Sequence, residues 1–248
     1  MIGRKFTAPV ALCLLAPLSF SLQAPLPQGE KFQFRVEWRM IQAGTAKVTF
    51  SHNANREPQA DVVMQSAGLV SKLFKVNDVY HANMAEGFCA LSTRIDAEEG
   101  RRHRVTDIKF DRRAKKAYYN ERDLVKNAVV ANKEIEIPEC VHELMGAMQK
   151  LRSMKLEPGS SVQMPISDGK KSVMAKVEAQ EHEELTTPMG KAKATRYEVY
   201  LFNNVLYQRS GRLFVWLTDD SRRLPVQMRV RLPIHIGTIS LILEKEEH

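Results

Sequence analysis

Apolar and polar residues alternate with a period of two along most of this chain. In the segment 225–232, apolar residues at even positions alternate with Gln227, Arg229 and Arg231. Residues 30–40 repeat the pattern, with aromatic and aliphatic side chains at positions 32, 34, 36 and 38. This alternation predicts strands that have one buried face and one solvated face.

Turn signals divide the chain into many short predicted strands. Asp168-Gly169 is typical of a tight hairpin turn, and Asp219-Asp220 lies between the predicted strands 212–217 and 225–232. Three segments are less regular. Residues 68–77 fit a short helix or an irregular apolar loop, and residues 123–133 fit a loop or a partial strand. Residues 183–187 form a separate segment that follows the predicted strand 172–181. Frequent turns between short strands predict a mainly β protein built on an antiparallel sheet or barrel.

The period changes to three and four between residues 140 and 152. Apolar residues recur at positions 141, 144, 145, 148 and 151, which predicts an amphipathic helix. Glu143 at its start and Arg152 at its end suit the helix dipole. We expect one face of this helix to pack on the sheet.

The N-terminal segment resembles a secretory signal peptide. Two basic residues, Arg4 and Lys5, precede an apolar run that ends near Leu22, and Ala24 is a suitable cleavage residue. We expect cleavage after residue 24 and a single sheet-rich domain over residues 25–248, or two joined β halves around the helix. The expected location is the periplasm, and the alternative is a protein anchored in the membrane by an uncleaved N-terminus. No later segment is apolar enough to span a bilayer.

The chain is basic, with a formal net charge of +8. Two clusters in predicted turns are candidates for contact with an anionic surface of lipid headgroups or acidic glycans. They consist of Arg101, Arg102, Arg104, Arg112 and Arg113. The alternative is that these arginines form the solvated face of a hairpin. An exported protein is not expected to meet nucleic acid.

Two cysteines, Cys89 and Cys140, would remain after cleavage at residue 24. A pair of cysteines in an oxidising compartment predicts a disulfide. Two buried free thiols are the alternative.

The sequence contains no phosphate loop, nucleophile elbow or metalloprotease helix. His142 has no second histidine one turn later, and His182 lies among glutamates at a strand end. Adjacent carboxylates such as Asp219 and Asp220 do not converge across a cleft as a catalytic pair must. We therefore predict no catalytic residue, no metal site and no cofactor, and we favour a protein that is not an enzyme.

Large apolar side chains are the remaining candidates for a binding site. Methionines on the predicted helix could line an adaptable apolar surface, although core packing is their ordinary role. The candidate cleft residues are Trp38, Trp216, Met145, Met148 and Met228.

Several motifs, in order along residues 29–243, resemble the domain-of-unknown-function 3108 family. They are Gly29-Glu30 with Trp38 and Ala43-Gly44, the helix that follows Cys140, the turn at Thr187–Gly190, and the run that includes Trp216 and Asp220. Here Glu143 and Gly146 replace the Asp and Ser that are usual in that family. The resemblance implies an exported, sheet-rich protein of bacterial envelopes and supplies no activity. The chain is also similar to the half-barrel folds of lipoprotein carriers, in which a curved antiparallel sheet wraps a helix.

The sequence thus predicts a mainly β fold, a large curved antiparallel sheet or half-barrel with one central amphipathic helix at about residues 140–152. The leading hypothesis is a non-enzymatic envelope protein that binds an apolar or amphipathic ligand in a sheet-lined cleft. The ligand would be a lipid, a lipidated partner or a glycan. One alternative is a structural partner of another envelope protein without a small ligand, and a second is a hydrolase that acts on cell-wall or glycan material.

Overall fold

A computed structural model describes residues 29–247, so the predicted signal peptide lies outside the described residues. The described chain forms one antiparallel sheet of fourteen strands. The first eight strands are β1 Lys31–Trp38, β2 Ile41–His52, β3 Pro58–Ser66, β4 Val76–Met84, β5 Ala90–Glu99, β6 Arg102–Asp111, β7 Lys116–Asp123 and β8 Ala128–Glu136. The other six are β9 Ser161–Ser167, β10 Ser172–Thr187, β11 Gly190–Val199, β12 Arg212–Thr218, β13 Pro225–Arg231 and β14 Thr238–Glu247.

The sheet runs from β8 through β1 to β14 and on to β9. The first and last strands therefore pair at its centre, where Lys31 lies opposite Glu247. The two edge strands, β8 and β9, are consecutive in the sequence. The segment between them must cross from one edge of the sheet to the other, and it carries the long helix.

The helices are α1, Gly68–Leu73, and α2, Leu144–Arg152, and a 3₁₀ turn spans Glu86–Phe88. Helix α2 packs on both wings of the sheet. Ala147 and Leu151 join a core cluster with β9–β12, while Met145 packs against the aromatic core of β1 and β2 around Phe32 and Phe34. The prediction of a mainly β, open antiparallel sheet around one substantial helix is confirmed.

Three predicted boundaries differ from the structure. The helix begins at Leu144 rather than residue 140, because the backbones of Val141 and His142 bond to β5 on one side and β9 on the other. The segment at 123–133 divides into the end of β7, a turn at residues 124–127 and the start of β8, an exposed edge strand whose alternation is weak. Residues 172–187 form one strand, β10, in which a register shift between Ala179 and His182 replaces the expected break.

Candidate functional site

The start of α2 is fixed by Glu143, which caps the helix. The Glu143 carboxylate accepts hydrogen bonds from the backbone N–H of Met145 (2.7 Å) and of Gly146, and from the Tyr80 hydroxyl of β4. Such a cap satisfies N–H groups that have no partner within the helix. Burial raises the pKa of Glu143 despite these donors. Burial, followed by the charge of Glu143, raises the pKa of Tyr80 well above its usual value.

The residues that precede α2 are anchored between β5 and β9. Cys140 forms the predicted disulfide with Cys89. The Ala90 N–H donates to the Val141 carbonyl (2.8 Å), and the His142 N–H donates to the Pro165 carbonyl (2.9 Å). His142 Nδ1 lies 2.7 Å from the Phe88 carbonyl oxygen, and burial lowers the pKa of this imidazole. Burial thus favours the neutral imidazole, and His142 is a buried residue held beside the Phe88 carbonyl.

The end of α2 is anchored by a buried charge. Arg152 donates from Nη1 and Nη2 to the two carboxylate oxygens of Glu30, at 2.6 and 2.7 Å. Its guanidinium also lies over the rings of Phe32 and Phe50. Both ends of the helix are thus bonded to distant parts of the sheet, which fixes its position on the concave face.

The inner face of the sheet is fully buried beside α2 and only partly buried farther away. On β3 and β4, Ala60, Ala82 and Met84 are fully buried beside the helix, whereas residues farther along the same face are only half-buried. We call these half-buried residues the inner groove; they are Val62, Met64, Tyr80 and Ile95, with Val70 of α1 beside them. Val62, Met64 and Val70 also pack against the aromatic core.

Strand pairing places the groove residues on one face. Tyr80 lies opposite Val62 on one side and opposite Ile95 on the other, and its hydroxyl points at Glu143. Asp78 occupies the same face two residues before Tyr80, and its Oδ1 is buried without a hydrogen-bond donor among the described residues. The inner groove therefore has aliphatic walls and polar groups, Tyr80 and Asp78, within it.

The predicted cleft residues do not form one site. Met145, Met148 and Met228 pack against the buried core clusters, and none of them is among the groove residues. Trp38 is 37% exposed at the end of β1, where its Nε1 donates to the Ile236 carbonyl (2.7 Å). The sequence pattern predicts that these side chains lie on apolar faces. It does not predict how deeply each side chain is buried, because that depends on the position of α2.

Trp216 lies on the opposite face of the sheet beneath arginines. Its Nε1 donates to Glu183 (3.0 Å), and Arg229 stacks over the ring at 5.2 Å. Three more arginines, at positions 196, 212 and 231, surround the ring of neighbouring Phe214. Burial, then the charges of Arg231 and Arg196, lowers the pKa of Arg229.

The predicted basic surface is divided between two ends of β6. Arg101 and Arg102 lie at the β5–β6 turn, whereas Arg112 and Arg113 lie in the β6–β7 turn. Arg104 faces Glu121, with Nη1 and Oε1 2.7 Å apart. The two clusters therefore belong to different surfaces.

Two sequence motifs, the Thr187–Gly190 turn and the run that includes Asp220, meet at a shallow pocket of about 420 Å³. Its apolar floor contains Leu224, Val226 and Leu243, and its rim contains Lys191 and Asp219. This meeting could not be inferred from the sequence, because β10–β11 and β12–β13 are separate hairpins.

The side chains of Asp219 and Asp220 both accept local hydrogen bonds. Asp219 accepts from the buried Thr195 hydroxyl (2.6 Å), which also lies 3.0 Å from His182 Nδ1. Asp220 accepts from Thr218 (2.7 Å) and from backbone N–H groups of its own turn. Within residues 29–247, no three His, Cys, Asp or Glu side chains are arranged to hold a metal ion.

Together these features define an open antiparallel half-barrel that wraps a single anchored helix and leaves part of its concave face uncovered. The chain belongs to the DUF3108 family of proteins of unknown function, whose family model matches residues 33–244. A comparison with curated protein sequences finds no match. No helix in the described part of the chain has the length and apolar character needed to cross a bilayer.

One solved structure shares the fold at low sequence identity, and two others match with TM-scores below 0.5. A beta-barrel-like protein of the domain of unknown function DUF1849 from Brucella abortus is 9% identical, with a TM-score of 0.59 over 90% of this chain and 98% of that one. A protein from Bacteroides fragilis described as exported, with a YmcC-like fold, is 9% identical, with a TM-score of 0.33 over 90% and 98%. A protein from Parabacteroides distasonis described as a lipoprotein is 9% identical, with a TM-score of 0.34 over 90% and 97%.

Proposed function

We propose that this protein is an exported, non-enzymatic envelope protein that binds an amphipathic ligand in the inner groove. The observation that carries the proposal is the change in burial along β3–β5. Inner-face residues next to α2 are fully buried, whereas Val62, Met64 and Ile95 on the same strands are not. Concave apolar surface left uncovered in a well-packed domain is the usual setting of a ligand site.

The chemistry of the groove favours a lipid or a lipidated partner over a glycan. Its walls are aliphatic, which suits an acyl chain. Tyr80 and Asp78 supply polar atoms at the same face, and Asp78 Oδ1 is buried without a donor among the described residues. A ligand with a hydroxyl or amide beside its acyl chain would satisfy that oxygen, since buried polar atoms normally have partners.

Export is supported by two features of the chain itself. Residues 1–24 have the pattern of a secretory signal peptide. The Cys89–Cys140 disulfide suits an oxidising compartment.

The test compares two charge substitutions on neighbouring strands. Ile95→Glu places a carboxylate in the inner groove, while Val79→Glu places one on the outer face of β4, where Val79 is exposed. Protein purified from the envelope would be extracted and its lipids identified by mass spectrometry, and binding of a fluorescent fatty acid would be titrated. We expect the wild type and Val79→Glu to retain the ligand and Ile95→Glu to lose it. Absence of lipid and probe binding in the wild type, or equal loss in both variants, would overturn the proposal.

A further inference from the structure

One end of the sheet combines exposed apolar side chains with a strong excess of basic residues. In an antiparallel meander, alternate turns lie at the same end. Seven turns share the end that carries α1; they are residues 39–40, 67–75, 100–101, 124–127, 168–171, 200–211 and 232–237. We call this set the basic rim.

Hydrogen bonds tie neighbouring turns of the rim together. Arg39 donates from Nη2 to the carbonyls of Ile234 (2.9 Å) and His235 (2.7 Å). The Ala67 N–H donates to the Ala43 carbonyl (2.8 Å), and the Gly100 N–H donates to the Lys75 carbonyl (2.7 Å). These bonds join turn 39–40 to turn 232–237 and turn 67–75 to turn 100–101, and Lys171 Nζ joins turn 168–171 to turn 200–211 by donating to the Asn204 carbonyl (3.1 Å).

The rim differs in charge from the opposite end. Its seven turns contain eight Lys or Arg residues and one acidic residue, Asp168. The six connecting segments at the other end contain nine Lys or Arg residues and seven acidic residues. The connecting segments at the rim therefore carry a formal charge of +7 (8 − 1), against +2 (9 − 7) for those at the other end.

The same end carries most of the exposed apolar side chains found outside strands. Met40 and Ile234 are 91% and 94% exposed, and Leu69, Leu73 and Phe74 project from the α1 segment. At the opposite end the exposed large apolar residues of the described chain are Leu144 and Met189, at 48% and 49%. Clustered exposed apolar residues mark an interaction surface.

We infer that the basic rim docks on the surface of an anionic lipid bilayer, with Met40, Leu73 and Ile234 inserted at the headgroup level. Charge complementarity selects this partner, because apolar tips surrounded by Lys and Arg match an interface that is apolar below and negatively charged above. Met64 and α1, which border the inner groove, also lie toward this end of the sheet. Docking is nevertheless independent of ligand binding, so Ile95→Glu should leave it unchanged.

The test uses flotation with vesicles of phosphatidylglycerol and phosphatidylcholine, and with phosphatidylcholine alone. Binding to anionic vesicles at about 0.1 M salt should fall steeply at about 1 M salt, where the screening length is about 3 Å. Leu73→Asp with Ile234→Asp, and separately Lys72→Glu with Lys75→Glu, should each weaken binding about tenfold or more. The matched controls at the opposite end, Met189→Asp and Arg113→Glu with Lys115→Glu, should bind like the wild type.

The two tryptophans supply a direct readout. Trp38 is part-exposed beside the rim and Trp216 is 2% exposed, so brominated lipids should quench Trp38 fluorescence, and Trp38→Phe should abolish the quenching. Equal weakening by the controls, or no binding to anionic vesicles, would overturn the inference. So would a wild-type dimer in sedimentation velocity that Leu73→Asp dissociates without any vesicle binding, because the rim would then be a self-association surface.

Discussion

Arg152, the last residue of α2, and Glu30, the residue before β1, form a bidentate ion pair although 122 residues separate them. Both side chains are completely buried. Arg152 also donates to the backbone carbonyls of Arg222 and Arg223, at 3.1 and 3.0 Å. The pair therefore joins the first strand, the helix and the β12–β13 turn at one point.

Removal of one partner of the Arg152–Glu30 ion pair should severely destabilise the folded protein. Arg152→Leu leaves the Glu30 carboxylate buried and uncompensated, which typically costs about 3–5 kcal/mol. The double variant Glu30→Leu with Arg152→Leu should lose less than the sum of the two single losses, and urea unfolding of the wild type, both single variants and the double variant measures this coupling. Lys191→Ala, which breaks the exposed pair with Glu184, should cost less than about 1 kcal/mol. A cost below that value for Arg152→Leu would contradict the role assigned to the pair.

The ion pair also shows what the sequence could not supply. Arg152 lies at the C-terminal end of the helix, where a basic side chain interacts favourably with the helix dipole. That position alone predicts a side chain exposed to solvent. Its burial depends on Glu30 arriving from the other end of the chain. Strand alternation and the helical period are local properties, so they predicted the sheet and α2, whereas the partner of Arg152 is set by tertiary packing.

The inner groove likewise combines a feature that the sequence predicts with one that only tertiary packing sets. The period-two pattern places Val62 and Met64 on an apolar face of β3, but it does not distinguish a filled face from an open one. That distinction depends on how far α2 reaches across the sheet. The helix begins at Leu144 because residues 140–142 are held by β5 and β9, and such long-range bonds leave no periodic signal in the sequence.

Gly146 should resist substitution although it lies inside a helix. Gly→Ala in a helix normally stabilises by about 1 kcal/mol. Here an added Cβ would lie 2.6 Å from the Phe88 carbonyl oxygen and 3.0 Å from Glu143 Oε1. We expect Gly146→Ala to lose about 1–3 kcal/mol in urea unfolding, because the helix must move away from the Phe88 backbone. Leu144→Ala, at an exposed position of the same helix, serves as the control and should change stability by about 0.5 kcal/mol or less. A stabilised Gly146→Ala variant would show that the helix can shift freely.

Reduction of the Cys89–Cys140 disulfide should weaken the whole fold. The bridge joins residues 51 apart in sequence, and the chain-entropy model gives about 4 kcal/mol for a loop of this size. It also fixes Val141 and His142 beside their strands. We expect reductant to lower the urea midpoint of the wild type toward that of Cys89→Ser with Cys140→Ser, and to leave the double variant unchanged. An unchanged wild-type midpoint after complete reduction would refute the expected contribution.

Asp78 should make stability fall as the pH rises. Burial, then the charge of Glu99, raises the pKa of Asp78 to about 6 from 3.8. Because the folded-state pKa is the higher one, folding favours the neutral acid, and this advantage is present below pH 3.8 and lost as the pH rises through about 6. Asp78→Asn keeps a neutral group at every pH. It should therefore be more stable than the wild type by about 1 kcal/mol at neutral pH, with allowance for solvent screening, and the difference should shrink toward about pH 4.

Asp220 provides a control of opposite sign for this measurement. Burial opposes ionisation there, but hydrogen bonds from Thr218 and the turn backbone, together with Arg222, lower the pKa of Asp220. The stability that the ionised Asp220 carboxylate contributes to the fold is present above the unfolded-state pKa and is lost as the pH falls through the folded-state pKa. Asp220→Asn should thus be less stable than the wild type at neutral pH, and its deficit should diminish in acid. Urea midpoints measured from about pH 2.5 to pH 7.5 compare the two variants directly, since the Asp220 deficit should diminish only below its ordinary pKa of 3.8. If Asp78→Asn, like Asp220→Asn, were less stable than the wild type at neutral pH, the assignment of Asp78 as a desolvated carboxyl in the inner groove would be wrong.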